Sequence, residues 1–448
     1  MAEIKPFRAF VYNADKVEDL AAVMAPPYDV ISPAYQDKLY SRHEYNIVRL
    51  ILGKTEEVDN AGSDRYSRAA EELGRWKDEG VLKKDEKPAI YYYVQKYTLP
   101  DGSRPTRKGF IALSRLEEFG KGKIHAHERT LSGPKADRLK LMRACNANFS
   151  CIFSLYSEPG LTINKTLDNA VKSLEPIIDV FGDDGVENVV YRVVDAKVLE
   201  KVCEVMRAKT LFIADGHHRY ETALNYRNLM REKNPDNNGD APYNYVMMYF
   251  SNMDDEGMTI WPTHRVVHSV KGFNRDAFMS QIEKYFDIKE FEYNLDNMDE
   301  VNKTFVSALE ESGKSKNAFG VHLAGEQKYY LITLKSPELL KDLFSEEMPA
   351  IYKNLDVTVL HELILSRILG ISREDQEKQK NLTYVKSIGD AFEVMGDESN
   401  QIVFLLNPTR ISQVRDIAEA GSVMPQKSTY FFPKLLSGLV VNLLDDDC

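Results

Sequence analysis

The residues best suited to chemistry lie together in Thr210-Leu-Phe-Ile-Ala-Asp-Gly-His-His-Arg-Tyr-Glu-Thr-Ala-Leu224. Arg219 can hold a phosphate through two parallel hydrogen bonds, and the imidazoles of His217 and His218 can each donate another. Asp215 adds a hard oxygen donor. The same stretch predicts the scaffold that would aim these groups. Leu211 to Ala214 is an apolar run of the kind that fills a buried strand, and Asp215-Gly216 breaks it. From His217 onward Tyr220, Leu224 and Leu229 recur at roughly helical spacing. A strand that turns through a glycine into a helix presents backbone N–H groups and the positive end of a dipole, which together attract an anion. Cap and turn chemistry alone would explain Asp215 and Gly216. Two histidines and an arginine at one helix start favour anion binding.

A second polar constellation is Ile124-His-Ala-His-Glu-Arg-Thr130. On an extended segment His125 and His127 would share a face, with Glu128 on the other. That spacing could ligate a metal, but a third ligand is missing at short range, which disfavours a dedicated zinc site. Glu128 could instead serve as a general base, or hold Mg²⁺ together with substrate phosphates. Lys135, Arg138 and Arg143 fall on the helix expected from Lys135 to Asn146 and are candidate phosphate ligands. Tyr28 and Asp29 sit in a stretch with three prolines, Pro26, Pro27 and Pro33, which predicts a stiff extended loop that packs on the core or walls a site. Lys427, Ser428 and Thr429, between Pro425 and Pro433, suit an anion or a polar substrate. His264 and Arg265 read as surface residues at a strand start, with the cleft as the alternative, and His361 as a partly exposed helix residue.

The elements that must position these groups are legible as alternating patterns. An amphipathic helix is expected over 64–80, and strands over 89–94, 107–114 and 245–250. The run 45–52 reads as a buried strand ending at Gly53. In the second half, helices are expected over 274–285, 356–369 and 411–420, and strands over 318–323, 328–333 and 402–406. The fold class expected is α+β, with a mixed-sheet domain over 1–260 and an α/β domain over 261–448 that closes the cleft. A chain of 448 residues exceeds one ordinary core, and 43% hydrophobic with 28% charged residues is an ordinary globular composition. The net charge of −11 disfavours a nucleic-acid partner. The four cysteines form no C-x-x-C pair. An apolar run of about eighteen residues is lacking, so the expectation is a cytoplasmic protein without a membrane anchor. The oligomeric state is left open, a homodimer included.

The chain resembles the bacterial and archaeal family known as domain of unknown function 1015. The resemblance rests on Ala25-Pro-Pro-Tyr-Asp-Val-Ile31, His127-Glu-Arg-Thr130, Ala214-Asp-Gly-His-His-Arg-Tyr-Glu-Thr-Ala223 and Met424-Pro-Gln-Lys-Ser-Thr429. More remotely, the Asp-Gly-His-His-Arg turn is similar to the Gly-x-x-Arg loop of the ParB/sulfiredoxin superfamily, whose members bind nucleotide phosphates. Free-serine kinases in that superfamily carry a similar Asp-Gly-His-x-Arg loop. This likeness implies a ParB/sulfiredoxin-like N-terminal domain in which Gly216, His217, His218 and Arg219 hold the phosphates of ATP or ADP. Asp215 would lie near the reacting oxygen, with Mg²⁺ on Asp215 and Glu128, and His218 would take part in catalysis. The leading functional expectation is therefore a nucleotide-dependent kinase for a small hydroxyl compound, with free serine first. The alternatives are a ParB-like nucleotide switch without turnover, and a metal-dependent hydrolase using His125, His127 and His217 or His218.

Overall fold

The computed structural model describes residues 2–57, 59–60, 62–126, 128, 132–236, 239–344, 348–395, 397, 399–420, 424–425 and 427–444. The chain divides into two compact units, one of residues 1–126, 130–259 and 433–448, the other of residues 127–129 and 260–432. The fold is α+β.

The first unit is built on a mixed sheet. Its strands are β1 (Ile4–Lys5), β2 (Ile90–Lys96), β3 (Thr106–Arg115), β4 (Ile124–Ala126), β5 (Ile152–Tyr156), β6 (Ile178–Phe181), β7 (Glu187–Val193), β8 (Leu211–Asp215) and β9 (Tyr245–Asn252). The order is β4-β8-β5-β9-β3-β2-β7-β6, with β1 pairing β3 off this path. β8 runs parallel to β4, and β9 parallel to β5, while the other pairs are antiparallel. Three helices matter for the site: α1 (Arg65–Asp78), α2 (Ser132–Cys145) and α3 (His217–Lys233).

Because side chains alternate along a strand, the register sorts the sheet into two faces. One face carries Tyr92, Val94, Phe110, Ala112, Ile152, Ile213, Met248 and Phe250, which pack with Tyr220, Ala223 and Leu224 of α3. The opposite phase is more polar. Tyr93 and Gln95 lie across from Gly109 and Arg107, Tyr249 is paired with Ile111 and Phe153, and Phe153 with Asp215. Gly109 is required there, since a Cβ at that position would come within 2.4 Å of the Tyr249 ring. The last residues return to this unit, where Asn442–Leu443 pairs antiparallel with Ala147–Asn148.

Residues 45–52 depart from the expected strand and instead hold the short helix Val48–Ile51. The reason is local. The buried amide of Asn46 accepts from the N–H of Val48 at 2.9 Å and donates to the carbonyls of Ala22 and Met24, which bends the chain where a strand would run straight. Tyr28–Val30 forms a single 3-10 turn within the proline-rich stretch.

The second unit carries an antiparallel sheet of β10 (His264–His268), β11 (Phe286–Glu292), β12 (Ala318–Leu323), β13 (Lys328–Leu334), β14 (Leu382–Val385) and β15 (Asn400–Leu406). Its order is β11-β13-β12-β15-β10-β14. Helices α4 (Arg275–Tyr285), α5 (Met298–Gly313) and a π-helix over Val359–Ile368 accompany it. His264 and Arg265 are not surface residues. They are 0% and 1% exposed, because β10 is an interior strand flanked by β15 and β14. His361 is likewise buried, and its Nδ1–H donates to Oε1 of Gln376 at 2.8 Å, which satisfies one polar atom inside the core. Among the described residues, no helix is long and apolar enough to cross a membrane.

Candidate functional site

The corner after β8 is set by three local features. Leu211, Phe212, Ile213 and Ala214 are buried and anchor the strand. The pairing of β8 with β5 then shifts register between Ile213 and Asp215, an irregularity that re-aims the strand's last residue. Gly216 follows with φ of 88°, in the left-handed region, and begins α3 without a capping side chain. A Cβ on Gly216 would lie 3.0 Å from the guanidinium of Arg219, so the missing side chain is what lets Arg219 fold back over the turn.

Asp215 is the charge centre of this corner. Its Oδ2 accepts from Nη2 of Arg219 at 2.9 Å and its Oδ1 from Nζ of Lys434 at 2.7 Å. Arg219 also donates from Nη1 to the carbonyl of Cys151. The side chains of Asp215, Arg219 and Lys434 are 22%, 13% and 14% exposed. Burial pushes the Asp215 carboxyl up, but Lys434 and then Arg219 outweigh it and hold the group well below the usual carboxylate range. His217 is buried and His218 half-buried at the start of α3.

Arg219 lines a cavity of about 50 Å³ whose wall includes Tyr28, Arg138, Asn148, Ser150 and Thr222. The guanidinium of Arg138 lies over the Tyr28 ring at 4.0 Å from its centroid. Arg138 pairs with Asp137, and its Nη1 donates to the carbonyl of Ile51 at 2.6 Å. Burial raises the Tyr28 hydroxyl, and Arg138 partly offsets this. Asp137 also takes Arg65 of α1. Among the described residues two cations meet on each of two carboxylates, Arg219 and Lys434 on Asp215 and Arg138 and Arg65 on Asp137. An anionic phosphate fits that imbalance. Lys135 does not add to it, since its Nζ is 2.6 Å from Glu221. Asp29 is exposed on the turn beside Tyr28.

Glu128 belongs to the second unit, where its Oε1 accepts from the backbone N–H of Lys427 at 2.7 Å. Arg265 donates to the carbonyl of Lys427 at 3.1 Å and lies over the Tyr384 ring. Burial pulls the Arg265 guanidinium down to about 10, against the opposing pull of Tyr384 and Glu128. Lys427 is exposed and takes a φ of 58°. Ser428 is buried, its hydroxyl donating to the carbonyl of Pro425 at 2.6 Å, and Thr429 is half-buried. The structure thus gathers Tyr28, Arg138, Gly216 and Arg219 in one unit, and Glu128 with Lys427 in the other.

A divalent cation is fitted less well. Both Asp215 oxygens are engaged by cations, so Mg²⁺ there would have to displace Lys434 or Arg219. Among the described residues no three His, Cys, Asp or Glu side chains converge as metal ligands. His125 lies on β4 with its ring against Phe212, and His127 lies outside the described residues. The spacing of polar residues does not single out Lys434 as a ligand. The only signal for Lys434 is a charge following a proline in an otherwise apolar tail.

Comparison with known proteins adds little chemistry. No curated protein matches the chain. Among solved structures, it is similar to a free serine kinase in complex with AMP at 12% identity and a TM-score of 0.32, covering 69% of this chain and 83% of that one. A conserved hypothetical protein from Pyrococcus furiosus aligns at 14% identity and a TM-score of 0.32, covering 69% and 87%. SbnI from Staphylococcus aureus, with a C-terminal truncation, aligns at 9% identity and a TM-score of 0.35, covering 75% and 90%. Likeness this distant carries no argument about what the chain binds. The sequence itself is decisive on kinship: residues 4–358 match the family described as "Protein of unknown function (DUF1015)", and the chain belongs to it.

Proposed function

We propose that the chain is a nucleotide-dependent kinase, using ATP or ADP to phosphorylate a small hydroxyl compound, with free serine as the first acceptor to test. The observation that supports it is the excess of positive charge around the Tyr28–Arg138–Arg219 cavity, set beside a glycine-started helix. Arg219, Arg138 and the first turn of α3 would hold phosphate oxygens, and Tyr28 would wall the site. A bound nucleotide supplies the phosphoryl group, so that the acceptor oxygen forms a P–O bond as the bond to the nucleotide breaks and a carboxylate takes the hydroxyl proton. Asp215 is a weak base for that proton, because Lys434 and Arg219 stabilise its ionised form. Its role is to fix those two cations. Glu128 is the other carboxylate that the family motif offers for proton transfer.

The test is calorimetry with ADP and ATP on the full chain, together with detection of phosphoserine from ATP or ADP and serine. Nucleotide binding that weakens by about tenfold or more in Arg219→Met is expected, since a charge-assisted hydrogen bond contributes about 1.5–3 kcal/mol. Absence of both nucleotide binding and transfer to any small alcohol would refute the reading.

A further inference from the structure

One end of the second unit's sheet holds a cavity of about 400 Å³, a size that takes a small ligand. Strand ends frame it. β13 finishes at Leu334, whose N–H donates to the carbonyl of Asn317 just before β12. β15 finishes at Leu406, across from Phe319. Gly313 at the end of α5 closes one side, where a Cβ would overlap the amide of Asn407. Three cations from three places in the chain line the cavity: Lys316 before β12, Lys335 after β13, and Arg410 before the helix Ile411–Glu419. Among the described residues none of them meets a carboxylate at ion-pair distance. Lys335 donates to the carbonyl of Glu283 at 2.6 Å, and Arg410 reaches the carbonyl of Gly313 only at 3.5 Å. Asp356 alone is acidic among the described lining residues, and its Oδ1 accepts from the Asn317 amide at 2.6 Å. Even with Asp356 ionised, these residues keep two more positive charges than negative ones, in a chain of net charge −11.

The side-chain amides say what accompanies the anion. Asn317 donates through Nδ2 to Asp356 and to the carbonyl of Asn354, and Asn407 through Nδ2 to the carbonyl of Leu309. Gln413 accepts through Oε1 from the N–H of Arg410. Each amide is thus fixed at one end by the protein. The other end has no partner among the described residues: an acceptor oxygen on Asn317 and on Asn407, a donor NH₂ on Gln413. A hydroxyl group both donates and accepts, so a polyhydroxylated body matches this mixture. The head group has to answer two surplus positive charges. A phosphate monoester carries about −1.5 to −2 at pH 7 with three acceptor oxygens, whereas a carboxylate supplies one charge. We propose that this cavity binds a phosphate monoester of a sugar or small polyol, with Lys316, Lys335 and Arg410 on the phosphate and Asn317, Asn407 and Gln413 on the hydroxyls. The site lies wholly within the second unit and does not depend on the nucleotide reading of the first. Burial lifts the Asp356 carboxyl to about 7, against the opposing pull of its bond to Asn317 and of Arg410. An anion held by Lys316, Lys335 and Arg410 shifts Asp356 further toward its protonated form, which donates a hydrogen bond where the ionised form would repel.

The test is calorimetry on the full chain with ribose 5-phosphate and glycerol 3-phosphate against ribose, glycerol and inorganic phosphate. At least one ester should bind, about tenfold or more tightly than its parent polyol, the size of one charge-assisted hydrogen bond. Inorganic phosphate should bind more weakly than that ester, because it leaves the three amides unanswered. Arg410→Gln and Lys316→Gln, both at exposed positions, should each weaken the ester by about tenfold. At pH 7 the wild type should take up more protons on binding than Asp356→Asn, as read from the heats in two buffers of different ionisation enthalpy. If Asp356→Asn does not fold, the two surface variants and the ester series on the wild-type protein decide the matter. Failure of both esters to bind, esters no tighter than their polyols, or inorganic phosphate as tight as the esters would each overturn the proposal. Equal proton uptake in wild type and a folded Asp356→Asn would do the same. So would ester binding that is lost in Arg219→Met and kept in Arg410→Gln, which would move the ligand to the phosphate corner of the first unit.

Discussion

Replacing Asp215 by Asn keeps the shape of the side chain and removes the one charge that Lys434 and Arg219 share. The two contacts, at 2.7 and 2.9 Å, each represent about 6 kcal/mol of Coulomb attraction at an effective dielectric near 20. Desolvation of three nearly buried groups cancels most of that gross figure. What remains on removing the shared partner is roughly 3–5 kcal/mol of lost stability, because two nearly buried cations lose the carboxylate they share. Thermal denaturation at pH 7 should show a melting point lower by on the order of 10 °C. The pH dependence gives an independent reading of the same charge. The folded carboxyl is held below its unfolded value near 3.8, so below that pH the unfolded state takes up the proton first. Its stabilising contribution is thus complete above about pH 4 and is lost as pH falls toward the depressed folded value. The gap between wild type and Asp215→Asn should be constant from pH 5 to 7 and narrow below about pH 4. A second change, Lys434→Met, made on top of Asp215→Asn should recover part of the loss by removing one stranded cation. A variant within about 0.5 kcal/mol of wild type at pH 7 would refute the claim that the corner is held by these pairs.

The other expectations concern backbone, packing and buried histidines. Gly216→Ala forces a side chain into a φ of 88° and against Arg219, and should cost about 1–2 kcal/mol in denaturant melts while weakening ADP binding in calorimetry. Gly109→Ala places a methyl within 2.4 Å of the Tyr249 ring, and should destabilise the first unit by on the order of 1–3 kcal/mol in the same melts. His264 and His361 are held down by burial and then by Arg265, to about 4 and about 3. The unfolded state therefore binds their protons first, and stability falls as pH drops below about 6.5, by roughly 2 kcal/mol for each at pH 5. Asp356, raised by burial to about 7, acts in the opposite sense across that range, so the slope of denaturant stability with pH should steepen in Asp356→Asn and flatten in His361→Gln.

What the sequence discloses here is what neighbouring residues decide. The apolar run before Asp215, the glycine at 216 and the helical spacing after it specify the corner without outside help, and the structure has that corner as β8, Gly216 and α3. The run 45–52 misleads for the same reason in reverse. A short apolar segment serves either a strand or a helix, and the deciding Asn46 acts through carbonyls at Ala22 and Met24. Contacts made across long stretches of chain leave no trace in local patterning. Lys434 meets Asp215 across a separation of 219 positions, and Glu128 joins the second unit although its flanks, up to Ala126 and from Thr130, belong to the first.

Arg107 shows how far alternation can carry an argument and where it stops. Along β3, Arg107, Gly109, Ile111 and Leu113 share one phase, and Lys108, Phe110 and Ala112 the other. Each phase carries a charged residue near its start, so nothing in the strand's own pattern says which charge is buried. Register decides it. Arg107 lies across from Gln95 and in phase with the aromatic rings of Phe153 and Tyr249, while Lys108 reaches Asp168 at 2.8 Å on the helix-covered side. One charge is therefore answered by a carboxylate and the other is not. The same strand supplies an ion pair on one face and, on the other, a guanidinium held by the neutral acceptors Gln95 and Pro433 and by the rings of Phe153 and Tyr249.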